Sequence, residues 1–162
     1  MTDKPVNVRI ATPNDEQELF KLLTEKLYYE NGAFSVSPQK VVESIQHATR
    51  GQGGIIGIID GDGEIAGSIG MRLGNFWYSD DWHIEELWNF VGEDYRRSEY
   101  AKNLIQFGKW AAETMKLVLN IDIISTHRTE AKVSLYSRQL TPVGCFFMHN
   151  LEVAKGPALV KG

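Results

Sequence analysis

The sequence predicts a layered α/β fold, and three observations carry that prediction. A β-branched run, Ile55, Ile56, Ile58 and Ile59, leads through an Asp-Gly turn into Ile65, Ala66, Ile69 and Met71 and makes a hairpin. A long amphipathic pattern from Arg97 to Met115 stands between two dense apolar runs, a strand-helix-strand unit whose two strands run parallel. Finally, 162 residues with 43% hydrophobic and 23% charged composition suit one domain with its own core, so residues 1–162 read as a single domain rather than a disordered or coiled-coil chain.

The elements follow in order. Val6, Val8 and Ile10 alternate with polar residues as a short strand. Thr12-Pro13 then starts a helix, with Asp15 and Glu16 at its positive end and Leu19, Leu22, Leu23 and Leu27 forming its buried stripe as far as Tyr28 to Gly32. Ser37-Pro38 repeats the start signal for a helix through Val41, Val42 and Ile45 to about Ala48, and Gly51 to Gly54 breaks it. After the hairpin, a strand runs from about His83 to Val91, where Ile84, Leu87, Trp88, Phe90 and Val91 are too densely apolar for an exposed loop. Tyr100, Leu104, Phe107, Ala111 and Met115 mark the helix from Arg97, and Leu117 to Ile124 is the next buried strand. A helix from about Thr129 to Leu140 and a strand around Cys145 to His149 complete the core, with Gly156-Pro157 in a fraying tail.

Several function classes are disfavoured. A net charge of -4 speaks against a broad basic face for nucleic acid. The start of the chain has no apolar targeting segment and no stretch is long enough to span a bilayer, so the sequence reads as cytoplasmic with no membrane partner. Cys145 is the only cysteine, which excludes an intrachain disulfide and a CxxC pair, and the histidines (His47, His83, His127, His149) are too scattered for a metal motif. The Asp60-Gly61-Asp62-Gly63-Glu64 string is a turn and not a calcium loop, because Ile65 stands where such a loop needs glycine.

Chemistry concentrates at the run Leu87-Trp88-Asn89-Phe90-Val91-Gly92-Glu93-Asp94-Tyr95-Arg96-Arg97-Ser98-Glu99-Tyr100-Ala101. A helix N-terminus carries unsatisfied N–H groups and about half a positive charge, so the amides from about Arg97 to Lys102 suit a pyrophosphate, with Arg96, Arg97 and Lys102 adding full charges. This run, with the element order, resembles the central motif of the GNAT superfamily of acyl-coenzyme A dependent N-acetyltransferases. The likeness extends roughly from Val6 to His149. It implies a mixed, mostly antiparallel sheet of about six or seven strands with a central parallel pair and about four helices. It also implies acetyl-CoA as acyl donor, held by Phe90, Val91, Arg96, Arg97, Ser98, Glu99, Tyr100, Ala101 and Lys102, with the pantetheine arm lying along Phe90 and Val91.

One departure bears on that site: Glu99 stands where the motif has its first glycine. A carboxylate about 4 Å from a phosphate costs on the order of 4 kcal/mol at an effective dielectric near 20, roughly a thousandfold in affinity. Glu99 must therefore turn away, or be neutralised by Arg96, Arg97 or Lys102, if the site is to work. The later run Thr129-Glu130-Ala131-Lys132-Val133-Ser134-Leu135-Tyr136 is similar to the family's Asn-x-x-Ala-x-x-Leu-Tyr, with Thr129 in place of asparagine and Lys132 in place of alanine. Thr129 is a sound N-cap. By this resemblance Tyr136 protonates the departing coenzyme A thiolate; a tyrosine on the inward face of an amphipathic helix is the plainer alternative.

An amine must lose a proton before it attacks a thioester, which calls for a carboxylate base. Glu85 and Glu86 are adjacent on the strand before the motif, and alternation sends them to opposite faces, so at most one reaches the substrate crevice. Glu85 takes the position that the resemblance favours, and a charged residue at a strand entrance is the alternative. His83 and His127 are spare candidates near strand ends, and Cys145 reads as a buried apolar cysteine. Tyr28, Tyr29, Phe34, Phe76, Trp77, Tyr78 and Trp82 are aromatic candidates for an acceptor groove. The implied partners are a coenzyme A thioester and an amine acceptor, small molecule or protein, with a homodimer as a further option. The rival reading is a GNAT-like domain that binds coenzyme A or a protein without transferring anything.

Overall fold

The computed structural model describes residues 1–27, 34–123 and 128–154. Tyr28, Tyr29, Ile124, His127 and the Gly156-Pro157 tail therefore lie outside the described residues. Strands β1 (Arg9–Ile10), β2 (Gly54–Asp60), β3 (Ile65–Asn75), β4 (Trp82–Val91) and β5 (Val118–Asn120) form one mixed sheet in the order β1-β2-β3-β4-β5. Neighbours are antiparallel except β4 and β5, which are parallel as the strand-helix-strand pattern requires.

Helices cover both faces. The first helical region opens with a single 3-10 turn, Pro13–Asp15, where the Thr12 N–H donates to the Asp15 carboxylate at 2.8 Å. It continues as α1 (Glu16–Lys21) and widens into a π-helical stretch, Leu22–Leu27. Helix α2 (Pro38–Thr49) starts on Ser37, whose side chain accepts from the Lys40 N–H. Leu19, Leu22 and Leu23 pack with Ile45 of α2 and with Ile56, Ile58, Trp88 and Phe90 of the sheet. On the opposite face α3 (Tyr100–Met115) sets Leu104, Phe107, Ala111 and Ala112 against Ile69, Met71 and Ile84. Helix α4 (Thr129–Gln139) contributes no buried residue.

Two sheet details position the site. First, Gly70 pairs with Trp88 and Met71 with Glu86, so Leu87 is an extra residue and β4 bulges there. The bulge reverses the alternation: Ile84 packs under α3, whereas Trp88 and Phe90, at even spacing from it, pack under α1 and α2. Second, β5 pairs only with His83, Ile84 and Glu85. The following residues of β4, Glu86 to Val91, run on beyond the end of β5 at Asn120, and the sheet splays open along them.

Three expectations are corrected. The strand expected at Cys145 to His149 does not form: residues 141–149 carry no regular structure, Cys145 is exposed, and Phe147 is 91% exposed. Apolar content alone does not make a strand when no described neighbour offers a ladder to pair with, and among the described residues the sheet has five strands instead of six or seven. Helix α3 begins at Tyr100 and not at Arg97, because the 3-10 turn Glu93–Tyr95 and the Ser98 N–H bond to the Tyr95 carbonyl occupy the chain before it. Arg128, not Thr129, is the N-cap of α4, and it sits in the left-handed region at φ 53°.

Candidate functional site

The splay between β4 and β5 opens into two adjoining cavities. The first, of about 180 Å³, is lined by Phe90 and Val91 of β4, Arg96, Ala101 at the start of α3, and Arg128, Ala131 and Leu135 around α4. The second, of about 660 Å³, is lined by Leu23, Leu27, Val41, Glu86, Trp88 and Asp122, among others. Asn89, Lys132 and Tyr136 line both and form the boundary.

The first cavity has a cationic end and an apolar length. Arg96 is fixed there by its own backbone: its Nε donates to the Val91 carbonyl at 3.2 Å and its guanidinium lies 5.8 Å from the Phe90 ring centroid. Ala101 and Lys102 lie in the first turn of α3, before the first helical bond, which the Asn103 N–H makes to the Glu99 carbonyl at 3.0 Å. Glu99 is exposed and turns to Lys102, with Oε2 3.4 Å from Nζ, and it lines neither cavity. The like-charge conflict foreseen for Glu99 is thus met by a neighbouring cation.

Tyr136 stands where the cavities meet. Its hydroxyl oxygen accepts from Asn89 Nδ2 at 2.9 Å, which directs the phenol's own hydrogen elsewhere. Burial, with the nearby Glu86 carboxyl, pushes its pKa above the usual tyrosine range, so the phenol keeps its proton. Glu86 retains some surface toward the second cavity, yet it is packed deeply enough that burial raises its pKa to about 8. Asp122 adds to that rise by its charge, while its N–H donates to the Glu86 carboxylate and Lys132 opposes the shift. Asp122 is itself raised, by burial first and then by Glu85.

Of the residues expected from sequence, Phe90, Val91, Arg96, Ala101, Lys132 and Tyr136 are brought together around the first cavity. Arg97, Ser98, Lys102 and Thr129 line neither cavity. Tyr100 turns inward, stacking on Tyr95 at 6.2 Å and packing against the core under α3. Glu85 faces Arg72, with which it forms an ion pair, and also lines neither cavity. His83 is buried beneath Phe76 with ring centroids 4.5 Å apart, and is not a surface histidine. Trp77 and Tyr78 are exposed at the β3–β4 turn, away from both linings.

Sequence reasoning weighed Glu86 but favoured Glu85, and it missed Asn89, Asp122 and Arg128. The bulge at Leu87 hid the facing of Glu86 and Asn89, since strict alternation misplaces one side of it. Arg128 was legible only as the residue before a helix start.

No protein-family profile matches this sequence, and no curated protein matches it. Solved structures do. An integron cassette protein from the mobile metagenome of Cole Harbour Salt Marsh aligns with TM-score 0.69 at 19% identity, over 94% of this chain and 93% of its own. A ribosomal-protein-alanine N-acetyltransferase from Brucella melitensis biovar Abortus 2308 aligns at 0.61 and 17% identity, over 89% and 99%. An aminoglycoside acetyltransferase from an uncultured soil metagenomic sample aligns at 0.61 and 16%, over 88% and 95%. At such identities the likeness establishes the fold, and the fold is the GNAT type shared by these acetyltransferases.

Proposed function

We propose that the protein is an acetyl-CoA dependent N-acetyltransferase that brings thioester and amine together at Tyr136. The observation that carries this reading is the pair of cavities meeting at Asn89 and Tyr136 along the stretch of β4 that runs on beyond β5. The residues of the first cavity fit the donor: Arg96 and Arg128 with the first turn of α3 suit the pyrophosphate, and Val91, Ala131 and Leu135 suit the arm. The open backbone edge of β4 offers the arm hydrogen bonds in the manner of an added strand. Acetyl-CoA supplies the activated acetyl group.

Glu86, in the second cavity, accepts the proton of the amine, whose nitrogen then attacks the thioester carbon. The C–S bond breaks as the new C–N bond forms, and Tyr136 gives its proton to the departing sulfur. A base near pKa 8 suits this work, being closer to the amine it must deprotonate than an ordinary carboxylate is. Glu86 thus replaces Glu85 in the base role, and Glu85 holds Arg72 at the strand.

Melting the protein with acetyl-CoA, free coenzyme A or ATP tests the reading, because a ligand that binds only the folded state raises the melting temperature. Acetyl-CoA is expected to stabilise more than ATP, which lacks the arm. Equal shifts would mean simple anion binding, and no shift at millimolar acetyl-CoA would remove the proposal. Stabilisation without turnover on any amine would favour binding without transfer.

A further inference from the structure

The second cavity has a division of character that bears on the acceptor. One side is apolar, built by Leu23 and Leu27 of the first helical region, Val36, Val41, Leu87 and Trp88. Among the described residues, charge is confined to the inner end, where Glu86 and Asp122 adjoin, and to Lys40 and Lys132. Two carboxylates against two lysines give no surplus of negative charge for a polycation, and the exposed Lys40 repels a second ammonium near the rim. Of the hydroxyls at the α2 side, two spend part of their bonding capacity on that helix itself: Ser37 Oγ accepts from the Lys40 N–H at 3.4 Å and Ser44 Oγ donates to the Lys40 carbonyl at 2.9 Å. A polyhydroxylated ligand would find few partners there.

We propose that this cavity takes a primary monoamine carried on an apolar body, its ammonium between Glu86 and Asp122 and its body against Leu23, Val41 and Trp88, in preference to polycationic or polyhydroxylated amines. The inference rests on the acetyl-transfer reading for its chemistry, but its content is a binding preference. An ammonium at that end favours the ionised form of the Glu86 carboxyl beside Asp122, and the proton it later gives up passes to Glu86, already within the pocket. The body contributes by leaving water, at about 0.8 kcal/mol per buried methylene.

The test is calorimetric titration of the protein, with coenzyme A present, by 2-phenylethylamine, spermidine and kanamycin. The expected result is that 2-phenylethylamine binds roughly tenfold or more tighter than either polycation. Val36→Asp, in the chain ahead of α2 and outside the core, is expected to erase that advantage while coenzyme A still binds. A polycation binding as tightly as the monoamine, or no monoamine binding at all, overturns the inference. Thiol release from acetyl-CoA is followed in parallel: no turnover with any amine but an intact binding order would sink the acetyl-transfer reading and leave the binding preference standing.

Discussion

Burial raises the Glu86 carboxyl to about 8, so at pH 7 only about one molecule in ten has it ionised. On the proposed mechanism, kcat/KM should climb with pH toward about 8, and Glu86→Gln should remove that limb and cost about 10² to 10⁴ in rate. Stability carries the same group with a definite sign. A carboxyl raised from its ordinary 4.5 to about 8 stabilises the fold fully below pH 4.5, and that contribution is lost as the pH rises through 8. The Glu86→Gln protein should therefore gain on the wild type in melting temperature between pH 5 and pH 8; parallel curves would mean that the carboxyl is not buried as described. For Tyr136, replacement by Phe removes one proton and the oxygen that Asn89 donates to. Turnover should fall while acetyl-CoA binding stays within a few-fold, measured as a loss in kcat with little change in Kd. A loss confined to binding would make Tyr136 a packing residue.

At the scale of elements, the bulge at Leu87 does most to build the site, and Gly70 permits it. A Cβ on Gly70 would lie 2.3 Å from the Trp88 ring, whose Nε1 donates to Ser68 Oγ at 3.1 Å. Gly70→Ala should cost about 1 to 3 kcal/mol by overpacking and push Trp88 toward the second cavity, read as a lower melting temperature and weaker amine binding together. The order of strands and helices was legible because it rests on local pattern: the β-branched run from Ile55 to Ile59 meets an Asp-Gly turn, and Leu104, Phe107 and Ala111 recur at helical spacing. The bulge was not legible, since one added residue leaves every local propensity unchanged and shows itself only against the register of β3. For the same reason Glu85 drew attention that the geometry gives to Glu86. The strand expected at Cys145 failed on a related ground: pairing depends on a neighbour, and the segment's own apolar residues cannot announce one.

For the molecule as a whole, the sheet separates two cores, one under α3 and one under α1 and α2, and the site opens where the sheet parts between them. Among the described residues no helix is long and apolar enough to cross a membrane. The first cavity draws on β4, α3 and α4, and the second adds the first two helical regions to β4 and α4, so on the proposed reading changes at Leu23 or Val41 can leave the donor side intact.

The wall shared by the two cavities has a kinetic consequence. Asn89, Lys132 and Tyr136 face both; the phenol of Tyr136 keeps its proton, and Cys145 is exposed and lines neither cavity. On the proposed reading both reactants are present together before any bond changes. Reciprocal plots of initial velocity against acetyl-CoA, taken at several fixed amine concentrations, should intersect. Parallel lines would require an acyl-enzyme on a side chain such as Lys132 and would overturn direct attack.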